Sequence, residues 1–581
     1  MTGFRIEHLS FSNSDVGLWS KVDDRFSNWP VVYTLNNEAE IYVGESLNVA
    51  ARMRQHLQSQ KKTELQAMHV VLDDRFNKSA CLDLESHLIR LFAGEGKFRV
   101  LNGNVGVVDS DYYDRRKYSE SFKQIFEEMR QLGLFEKTIP QIENSDLFKF
   151  SPFKALNQDQ AGTVSDIMDG LFSDIEQRLG RTIVVQGDPG TGKTILAIYL
   201  MKLLVDIQSS RLDDDVDGDS LFADYFLEGY RELLQGFRIG LVIPQQSLRS
   251  SIKKVFKKTP SLSVEMVISP FDLENVDGKF DLLIVDEGHR LTQRSNQSSG
   301  FQNKKYREIN EKLFGSDDLA LTQLDWIRAK SRYQILLVDA EQSVRPADLP
   351  QKILSTLIES SRLGGRYYRL YSQMRVKGGS DYVDYVRRLL SPMPPELTQF
   401  SEYDFKLYDD LGEMHQAIRE REAETKLARL VAGYAWKWTS RRDPTAFDIE
   451  IDGCQLRWNK TDKDWINSTS AVDEVGSIHT VQGYDLNYAG VIIGPDLRYD
   501  PVQRRLFFDR SSYQDTKGKE DNPKLGIKYT DDDLLRYVRN VYAVLMTRGV
   551  RGTYVYVCDP PLREYLRGYI PHGAGKVQQF G

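Results

Sequence analysis

A glycine-rich loop of eight residues constrains this chain more than any other feature of its sequence. Residues 187–194 read Gly-Asp-Pro-Gly-Thr-Gly-Lys-Thr and follow the β-branched apolar run at 182–185. The next residues, up to 200, are mainly apolar and favour a helix. A strand, a glycine loop and a helix in this order bring backbone N–H groups and the positive end of a helix dipole to one point. The loop therefore predicts a binding site for a nucleoside triphosphate.

Each residue type in this loop suits a phosphate. Gly187, Gly190 and Gly192 allow the backbone to close around the anion. Lys193 reaches the outer phosphates, and Thr194 offers a hydroxyl to Mg²⁺. We therefore expect ATP and Mg²⁺ as ligands.

The composition is that of an ordinary globular protein. The 581 residues suffice for about three or four domains, and the net charge of −7 neither favours nor excludes nucleic acid as a partner. Cys81, Cys454 and Cys558 lie far apart, which predicts a reducing compartment without disulfides or a zinc knuckle. The N-terminus lacks signal-peptide features, and no apolar stretch approaches the roughly 18 residues of a membrane span. We expect a cytoplasmic protein that does not contact membranes.

The chain is predicted to be an α/β protein with three zones. Residues 1–118 mix short strands and helices, residues 119–150 contain a linker helix, and strands alternate with amphipathic helices from 151 onward. The acidic stretch 213–219 predicts a solvated loop. The polar stretches 291–304 and 511–529 predict insertions. The strands expected in the third zone are 183–185, 240–243, 282–285, 335–338, 491–493 and 554–557.

An acidic strand end complements the glycine loop. The apolar run 282–285 is followed directly by Asp286 and Glu287. Asp286 is predicted to hold Mg²⁺ through water, and Glu287 to polarise the attacking water. Together with the loop, this segment predicts hydrolysis of the triphosphate.

Six further segments follow one another in a familiar order. They are 156–160, 243–249, 337–342, 372–375, 477–485 and 542–549. With the loop and the acidic strand end, they resemble the motifs of superfamily 1 helicases, most closely the Schlafen-like branch. The resemblance covers roughly residues 151–565.

This resemblance implies two RecA-like lobes with parallel sheets, residues 151–345 and residues 346–581, the second with insertions. ATP would lie between them, and Arg375 and Arg548 would reach it from the second lobe. Such arginines neutralise charge that develops in the transition state. Their contact exists only when the cleft is closed, so hydrolysis would drive stepwise movement along a strand.

The resemblance also implies roles for polar residues of the other motifs. Gln160 would read the adenine base, and Gln342 would sense the γ-phosphate. Gln482 and Gly483 belong to the motif that couples nucleotide to nucleic acid, and Asp485 lies where a ribose-binding acid is usual.

A second signal lies in the first hundred residues. Two adjacent strands are predicted at 31–35 and 41–44, followed by a helix at 48–57. Arg52 and His56 lie four residues apart, and hence on one face of that helix. A later helix carries Glu85.

These elements resemble a GIY-YIG nuclease over roughly residues 28–105. Tyr33 and Tyr42 match the two tyrosines that name the family, and Arg52, His56 and Glu85 match its other site residues. The resemblance implies that Glu85 holds Mg²⁺ or Mn²⁺, that Arg52 binds the phosphate, and that Tyr33 or His56 helps to deprotonate water.

Two sets of residues allow more than one interpretation. The basic side chains of one predicted helix either bind backbone phosphates or form a solvated face: Arg249, Lys253, Lys254, Lys257 and Lys258. Four tryptophans either stack on bases or fill a core: Trp436, Trp438, Trp458 and Trp465.

The main hypothesis is an ATP-dependent translocase or helicase coupled to a metal-dependent endonuclease acting on DNA, with RNA as a second candidate substrate. Antiphage defence or repair would suit such a protein, by analogy alone. Two alternatives are a nuclease-inactive remodeller anchored on DNA and an NTP-gated switch that does not move. Protein partners and self-association remain open.

Overall fold

The computed structural model describes residues 3–11, 23–58, 64–103, 112–210, 222–294, 297, 299–339, 342–373, 376–461, 465–481 and 484–573. Among these residues, no helix has the length and apolar composition needed to cross a bilayer. The chain divides into two compact units. Residues 1–168, 198–237 and 251–267 form the first unit, and residues 169–197, 238–250 and 268–581 form the second.

The first unit contains a five-stranded sheet in the order β1-β4-β2-β3-β5. Its central hairpin joins β2 to β3 antiparallel, so the two adjacent strands expected from the sequence are present. Every residue of β2 is buried, because the sheet is covered on both faces. The elements are β1 (Phe4–Ser10), α1 (Arg25–Asn28), β2 (Val31–Asn36), β3 (Glu40–Ser46), α2 (Val49–Gln58), β4 (Ala67–Asp73), α3 (Lys78–Glu95) and β5 (Arg99–Val100).

The segment predicted as a linker helix is part of this unit's core. Phe122, Phe126 and Met129 lie on one helical face and pack against the apolar face of α3. Phe135 then stacks on Phe92 with ring centroids 4.2 Å apart. The segment is therefore packed rather than free. Its helices are α4 (Arg115–Gln131), α5 (Ile139–Glu143) and α6 (Asp146–Lys149), and α7 (Gln158–Glu176) follows.

The first parallel sheet has six strands in the order β11-β6-β10-β9-β7-β8. All four strands predicted here are present. The edge strand β11 pairs parallel to β6, so the sheet extends beyond the lobe boundary expected at residue 345. The elements are β6 (Thr182–Gly187), α8 (Lys193–Ser209), α9 (Glu228–Leu233), β7 (Ile239–Val242), α10 (Gln246–Lys258), β8 (Val267–Ile268), β9 (Phe280–Val285), α11 (Gly300–Phe314), α12 (Gln323–Lys330), β10 (Ser331–Val338), α13 (Gln351–Leu363) and β11 (Tyr367–Leu370).

The second large sheet has seven strands in the order β12-β20-β17-β13-β16-β15-β14. Its pairs are parallel except for the hairpin of β14 and β15, and it contains the last two strands predicted from the sequence. The elements are α14 (Gly379–Leu389), β12 (Asp404–Tyr408), α15 (Leu411–Thr425), β13 (Ala428–Ala432), β14 (Ile449–Ile451), β15 (Cys454–Trp458), β16 (Glu474–Ser477), α16 (Ile478–Val481), β17 (Leu486–Ile493), β18 (Leu497–Asp500), β19 (Arg505–Phe508), α17 (Asp531–Met546), β20 (Gly549–Val557) and α18 (Pro560–Arg567).

The predicted insertions carry little regular structure. Residues 511–529 contain only two short 3-10 turns, Lys517–Lys519 and Pro523–Leu525. The described part of 291–304 is irregular up to the start of α11. The acidic stretch 213–219 lies outside the described residues.

The strand order of the first parallel sheet determines where chemistry can occur. β6 and β9 both pair with β10, so the carboxyl ends of the three strands share one edge. That edge presents Gly187, Asp286 and Asp339 side by side. Ligands of open parallel sheets bind at such carboxyl ends.

Candidate functional site

The loop after β6 has the backbone that a phosphate cradle needs. Gly190 and Gly192 adopt φ values of 87° and 81°, in the left-handed region that favours glycine. A Cβ atom at Gly187 would come closer than 3.0 Å to the Thr191 hydroxyl. All three predicted glycines are therefore required by the local geometry.

Lys193 lies at the centre of this loop with its side chain 5% exposed. Its Nζ donates to the carbonyl oxygens of Gly187, at 2.7 Å, and Asp188, at 3.0 Å. The same atom lies 3.7 Å from Oδ2 of Asp339, at the end of β10. The ammonium group is thus held where the loop and the acidic sheet edge meet.

The hydroxyl of Thr194 donates to Oδ2 of Asp286 at 2.7 Å. Burial, and then the charge of Glu287, raise the pKa of the Asp286 carboxyl. Burial opposes ionisation of Glu287, but the facing ring of His289 and the charge of Lys193 lower the pKa of that carboxyl. The oxygen pair of Thr194 and Asp286 is the donor set that Mg²⁺ prefers, so these residues fit the predicted metal.

His289 holds Glu287 in place. Its Nδ1 accepts the backbone N–H of Asp339 at 3.1 Å, so its ring proton is on Nε2. Nε2 lies 3.0 Å from Oε2 of Glu287. Glu287 itself has a φ of 52°, a strained backbone that fixes the direction of its side chain. Sequence reasoning did not predict this role, although His289 lies only three residues after Asp286.

Two residues that lie between β11 and β12 in the sequence contact the same loop. Gln373 donates through Nε2 to the carbonyl oxygen of Pro189 at 2.6 Å. Arg387 of α14 places Nη1 2.8 Å from Oδ1 of Asp188. Gln342 donates to Oδ2 of Asp339 at 2.7 Å. Sequence reasoning gave no role to Asp339, although it lies in the predicted segment 337–342, and none to Arg387, which lies outside all the predicted segments.

A cavity of about 430 Å³ opens beside these residues. Pro189 and Gln342 line one side, and residues of α14 and α17 line the other, including Arg387 and Asn540. Pockets for small ligands commonly occupy about 300–1,000 Å³. The cavity is therefore large enough for a nucleotide.

A separate cluster of aromatic side chains lies in the first unit. The hydroxyl of Tyr33 and Nε2 of His56 are 2.8 Å apart and buried. The ring of Tyr42 packs edge-on against His56, with centroids 5.3 Å apart. A Cβ atom at Gly44 would come closer than 3.0 Å to the Tyr33 hydroxyl, so only glycine leaves room for this ring.

Arg52 and Glu85 both affect the pKa of the Tyr33 hydroxyl. Burial raises the pKa of Tyr33 well above its usual value, and Tyr42 adds to the increase. The charge of Arg52 and a hydrogen bond from it oppose this rise, whereas Glu85 adds to it. The other four residues predicted for the N-terminal site are therefore neighbours of Tyr33.

Two further contacts support the strand that carries Tyr42. Asn102 exchanges hydrogen bonds with the backbone of Val43, at 3.1 Å and 2.7 Å. Glu45, two residues further along the same strand, forms an ion pair with Lys78 of α3.

The larger part of the chain matches a known protein family. Residues 180–559 match the Schlafen group 3, DNA/RNA helicase domain. The chain belongs to this family. The matched helicase domain contains the loop, the acidic strand end and Arg548, and it begins after the N-terminal module. The nuclease resemblance thus stays a prediction.

Individual proteins resemble this chain at low identity. A Saccharomyces cerevisiae protein, YPL245W, is 28% identical over 405 residues, which cover 66% of this chain and 83% of the yeast protein. The Arterivirus nonstructural protein 10 helicase with DNA has 12% identity and a TM-score of 0.30, and covers 69% of this chain and 67% of its own. Bacteroides Pif1 helicase with ADP-AlF3 and ssDNA has 11% identity and a TM-score of 0.24, with coverages of 68% and 91%.

Arg548 and Asp485 lie in neighbouring segments at the start of two paired strands of the second large sheet, and three other predicted site residues lie outside the described residues. Arg548 is 2% exposed, and its Nη1 donates to the carbonyl oxygen of Tyr484 at 3.4 Å. Asp485 is half-buried in the adjacent segment. Arg375, Gln482 and Gly483 lie outside the described residues. The catalytic and binding roles of all these residues stay predictions.

Gln160 belongs to the first unit, at the beginning of α7. Its backbone N–H donates to Oδ1 of Asn157 at 2.8 Å, and its Oε1 accepts from the backbone of Asn157 at 3.3 Å. This reciprocal pair caps the helix. Recognition of adenine by Gln160 stays a prediction.

The basic side chains of α10 and the four tryptophans do not all occupy the same kind of position. Lys258 donates to the carbonyl oxygen of Gly96 at 3.0 Å, and Lys254 lies 4.0 Å from Asp146. Part of the basic face of α10 is thus used within the first unit. Trp458 and Trp465 are buried and belong to hydrophobic cores, whereas two other tryptophans are only half-buried: Trp436 and Trp438.

Proposed function

We propose that this chain is an ATP-driven nucleic-acid translocase or helicase whose N-terminal module cuts DNA in a metal-dependent reaction. Membership of the helicase family supports the first activity, and the cluster around Tyr33 supports the second. A cellular role in defence against invading DNA or in repair would suit this pair of activities and rests on their combination alone.

One observation carries the ATPase proposal. The phosphate loop, the acidic edge of the first parallel sheet and Arg387 from beyond that sheet meet around Lys193. Lys193 would neutralise the outer phosphates. Glu287, oriented by His289, would accept the proton of the attacking water. Bound at Thr194 and Asp286, Mg²⁺ would neutralise charge on the phosphates.

Movement along a strand would follow from this arrangement. Residues that contact the loop come from the end of the first parallel sheet and from α14, so binding and loss of the terminal phosphate would change their mutual contacts. If each part grips the nucleic acid, every cycle of hydrolysis advances the protein along the strand.

ATP turnover and strand displacement test this proposal. We expect hydrolysis that single-stranded DNA stimulates, and displacement of a labelled oligonucleotide that requires ATP. Parallel reactions with single-stranded RNA identify the preferred nucleic acid. Turnover without displacement would favour the NTP-gated switch, and absence of turnover would contradict the proposal.

The proposal of DNA cleavage rests on the convergence at Tyr33. The Tyr33–His56 pair could pass a proton from water, and Arg52 could bind the scissile phosphate. Glu85 supplies one carboxylate. A single carboxylate suits Mg²⁺, which keeps several waters, and the described residues contain no group of three or more His, Cys, Asp or Glu arranged for a metal. A metal bound at Glu85 would stabilise the leaving oxygen.

Nicking of a supercoiled plasmid tests the cleavage site. We expect nicking with Mg²⁺ or Mn²⁺, and its loss in Glu85→Gln and Tyr33→Phe. Glu38→Gln, an exposed change in the β2–β3 turn, is the matched control and should cut normally. Normal cutting by Glu85→Gln would reject this site, and absence of cutting by the unmodified protein would favour the nuclease-inactive remodeller.

A further inference from the structure

Arg387 occupies a position that no predicted motif explains. It lies in α14, beyond the first parallel sheet, yet its Nη1 is 2.8 Å from Oδ1 of Asp188 in the phosphate loop. Its Nη2 is 3.7 Å from Oδ1 of Asp339. The side chain is 21% exposed, so the guanidinium is largely removed from solvent.

Asp339 links this guanidinium to the lysine of the loop. Oδ2 of Asp339 lies 3.7 Å from Nζ of Lys193, while Oδ1 faces Arg387. Two cations from different parts of the fold therefore flank one carboxylate. Because Lys193 marks where the outer phosphates bind, a bound triphosphate would come within reach of Arg387 as well.

The helix that carries Arg387 is firmly attached to the layer around the second large sheet. Tyr382 donates to the carbonyl oxygen of Met546 at 2.9 Å, and Tyr385 donates to that of Tyr569 at 2.6 Å. Met546 ends α17, two residues before Arg548. The helix that carries Arg387 is therefore hydrogen-bonded to the segment that carries the last helicase motif.

The cavity beside Arg387 is suited to a polyanion. Four other arginines line it, and none of the described lining residues is Asp or Glu: Arg345, Arg388, Arg536 and Arg539. Burial lowers the pKa of the Arg539 guanidinium. A triphosphate would supply the negative charge that this cavity lacks.

We propose that Arg387 contacts the terminal phosphate of bound ATP, with Asp188 and Asp339 positioning its guanidinium. This inference rests on the proposed ATPase. In hydrolysis, the bond from the γ-phosphorus to the bridging oxygen of ADP breaks, and a bond to the water oxygen forms. The water proton passes to Glu287, and the products are ADP and phosphate. Arg387 neutralises charge on the transferring phosphoryl group, a contribution of about 10³–10⁵ in rate for such arginines.

The decisive experiment separates nucleotide binding from stabilisation of the transition state. Arg387→Gln should lower kcat by roughly 10³-fold and leave the affinity for a fluorescent ADP within a few-fold of the original. Aluminium fluoride, which mimics the transferring phosphoryl group, should strengthen ADP binding in the unmodified protein and not in Arg387→Gln. Arg387→Lys should recover only part of the rate, because lysine lacks the planar fork of arginine.

Two variants exclude a merely structural effect. Arg442→Gln alters an exposed arginine that does not line the cavity and should behave like the unmodified protein. Asp188→Asn removes the partner in the loop and should cost about 10-fold, far less than Arg387→Gln. Equal losses from Asp188→Asn and Arg387→Gln would indicate a structural ion pair and overturn the inference.

Failure of the inference differs from failure of the proposed function. Suppose that the unmodified protein binds and hydrolyses ATP. If Arg387→Gln keeps the original rate, or if aluminium fluoride still raises its affinity for ADP, only the role of Arg387 is wrong. If the unmodified protein neither binds nor hydrolyses ATP, the proposed ATPase is wrong, and the role of Arg387 falls with it.

Discussion

The two candidate sites stabilise their buried polar groups by different interactions. The cleft around Lys193 is a network of full charges in which Asp339 and Asp286 face cations or hydroxyl donors. The N-terminal cluster is mostly aromatic, and its central contact joins the neutral hydroxyl of Tyr33 to the ring of His56. One site depends on charge balance, and the other depends on the shape of a small buried space.

This difference follows from the elements that build each site. Adjacent carboxyl ends of parallel strands bring Asp286 and Asp339 to one edge without crowding. The antiparallel hairpin of β2 and β3 stacks its side chains across the strands, so Tyr33 lies directly over Gly44. Removal of a charged side chain should therefore abolish activity at the cleft around Lys193. A larger side chain should abolish activity at the N-terminal cluster.

The largest expected effect comes from removing the charge of Lys193. Lys193→Ala should lower ATP turnover by about 10³-fold or more, because no other ammonium reaches the outer phosphates from the loop. Nicking of plasmid DNA by the same protein with Mn²⁺ should persist. Lys352→Ala, an exposed change on α13, is the control for a lost positive charge. Parallel loss of both activities would contradict the independence of the two sites.

Added volume tests the N-terminal cluster. In Gly44→Ala, the new methyl group would collide with the Tyr33 hydroxyl and displace it from His56. Misplacement by about 1 Å can cost 10²-fold in rate, and we expect a loss of that size in nicking with ATP turnover unchanged.

A second glycine provides the control for this change. Gly162 is exposed in α7, and a Cβ atom there would meet nothing within 4 Å. Gly162→Ala should leave both activities intact and stabilise the protein by about 0.5–1 kcal/mol, because alanine favours a helix. Normal nicking by Gly44→Ala would show that the position of Tyr33 does not matter for cleavage.

Contiguous features were predictable from the sequence, and contacts made by the fold were not. The loop with its strand, the acidic strand end and the β2–β3 hairpin are each continuous in the sequence, and the structure contains all three. The five residues predicted for the N-terminal site also lie close together, and their nuclease roles stay predictions.

The missed residues depend on tertiary placement. Arg387 lies in an ordinary amphipathic helix, and only the packing of α14 brings it to Asp188. Strand β11 was missed because only its last residue is fully buried, which leaves a weak apolar signal. The supposed linker helix α4 joined the N-terminal core because its apolar face matches that of α3, a match that no local pattern reports.

A smaller effect tests how the cleft orients its base. His289→Ala should remove the ring that joins Glu287 to the backbone of Asp339 and lower kcat by about 10- to 100-fold. The affinity for ATP should change little, since His289 does not contact the loop lysine in the described structure. His289→Gln keeps a donor and should recover part of the rate. A rise in KM with an unchanged kcat would assign His289 to binding rather than to positioning.

The smallest effect concerns acid stability, and it belongs to the N-terminal sheet. Burial, and then the nearby ring of His8, lower the pKa of His69 to about 4. The unfolded chain, with an ordinary histidine, therefore binds this proton at higher pH than the folded chain. Stability is complete above about pH 6.5 and falls as the pH drops towards 4, by on the order of 2 kcal/mol after allowance for partial solvation. His69→Val should flatten this part of the pH profile of the unfolding free energy, measured by denaturant titration of the N-terminal transition. His8→Gln should flatten it only slightly, because burial is the larger cause, and an unchanged profile in His69→Val would assign the acid sensitivity to another group.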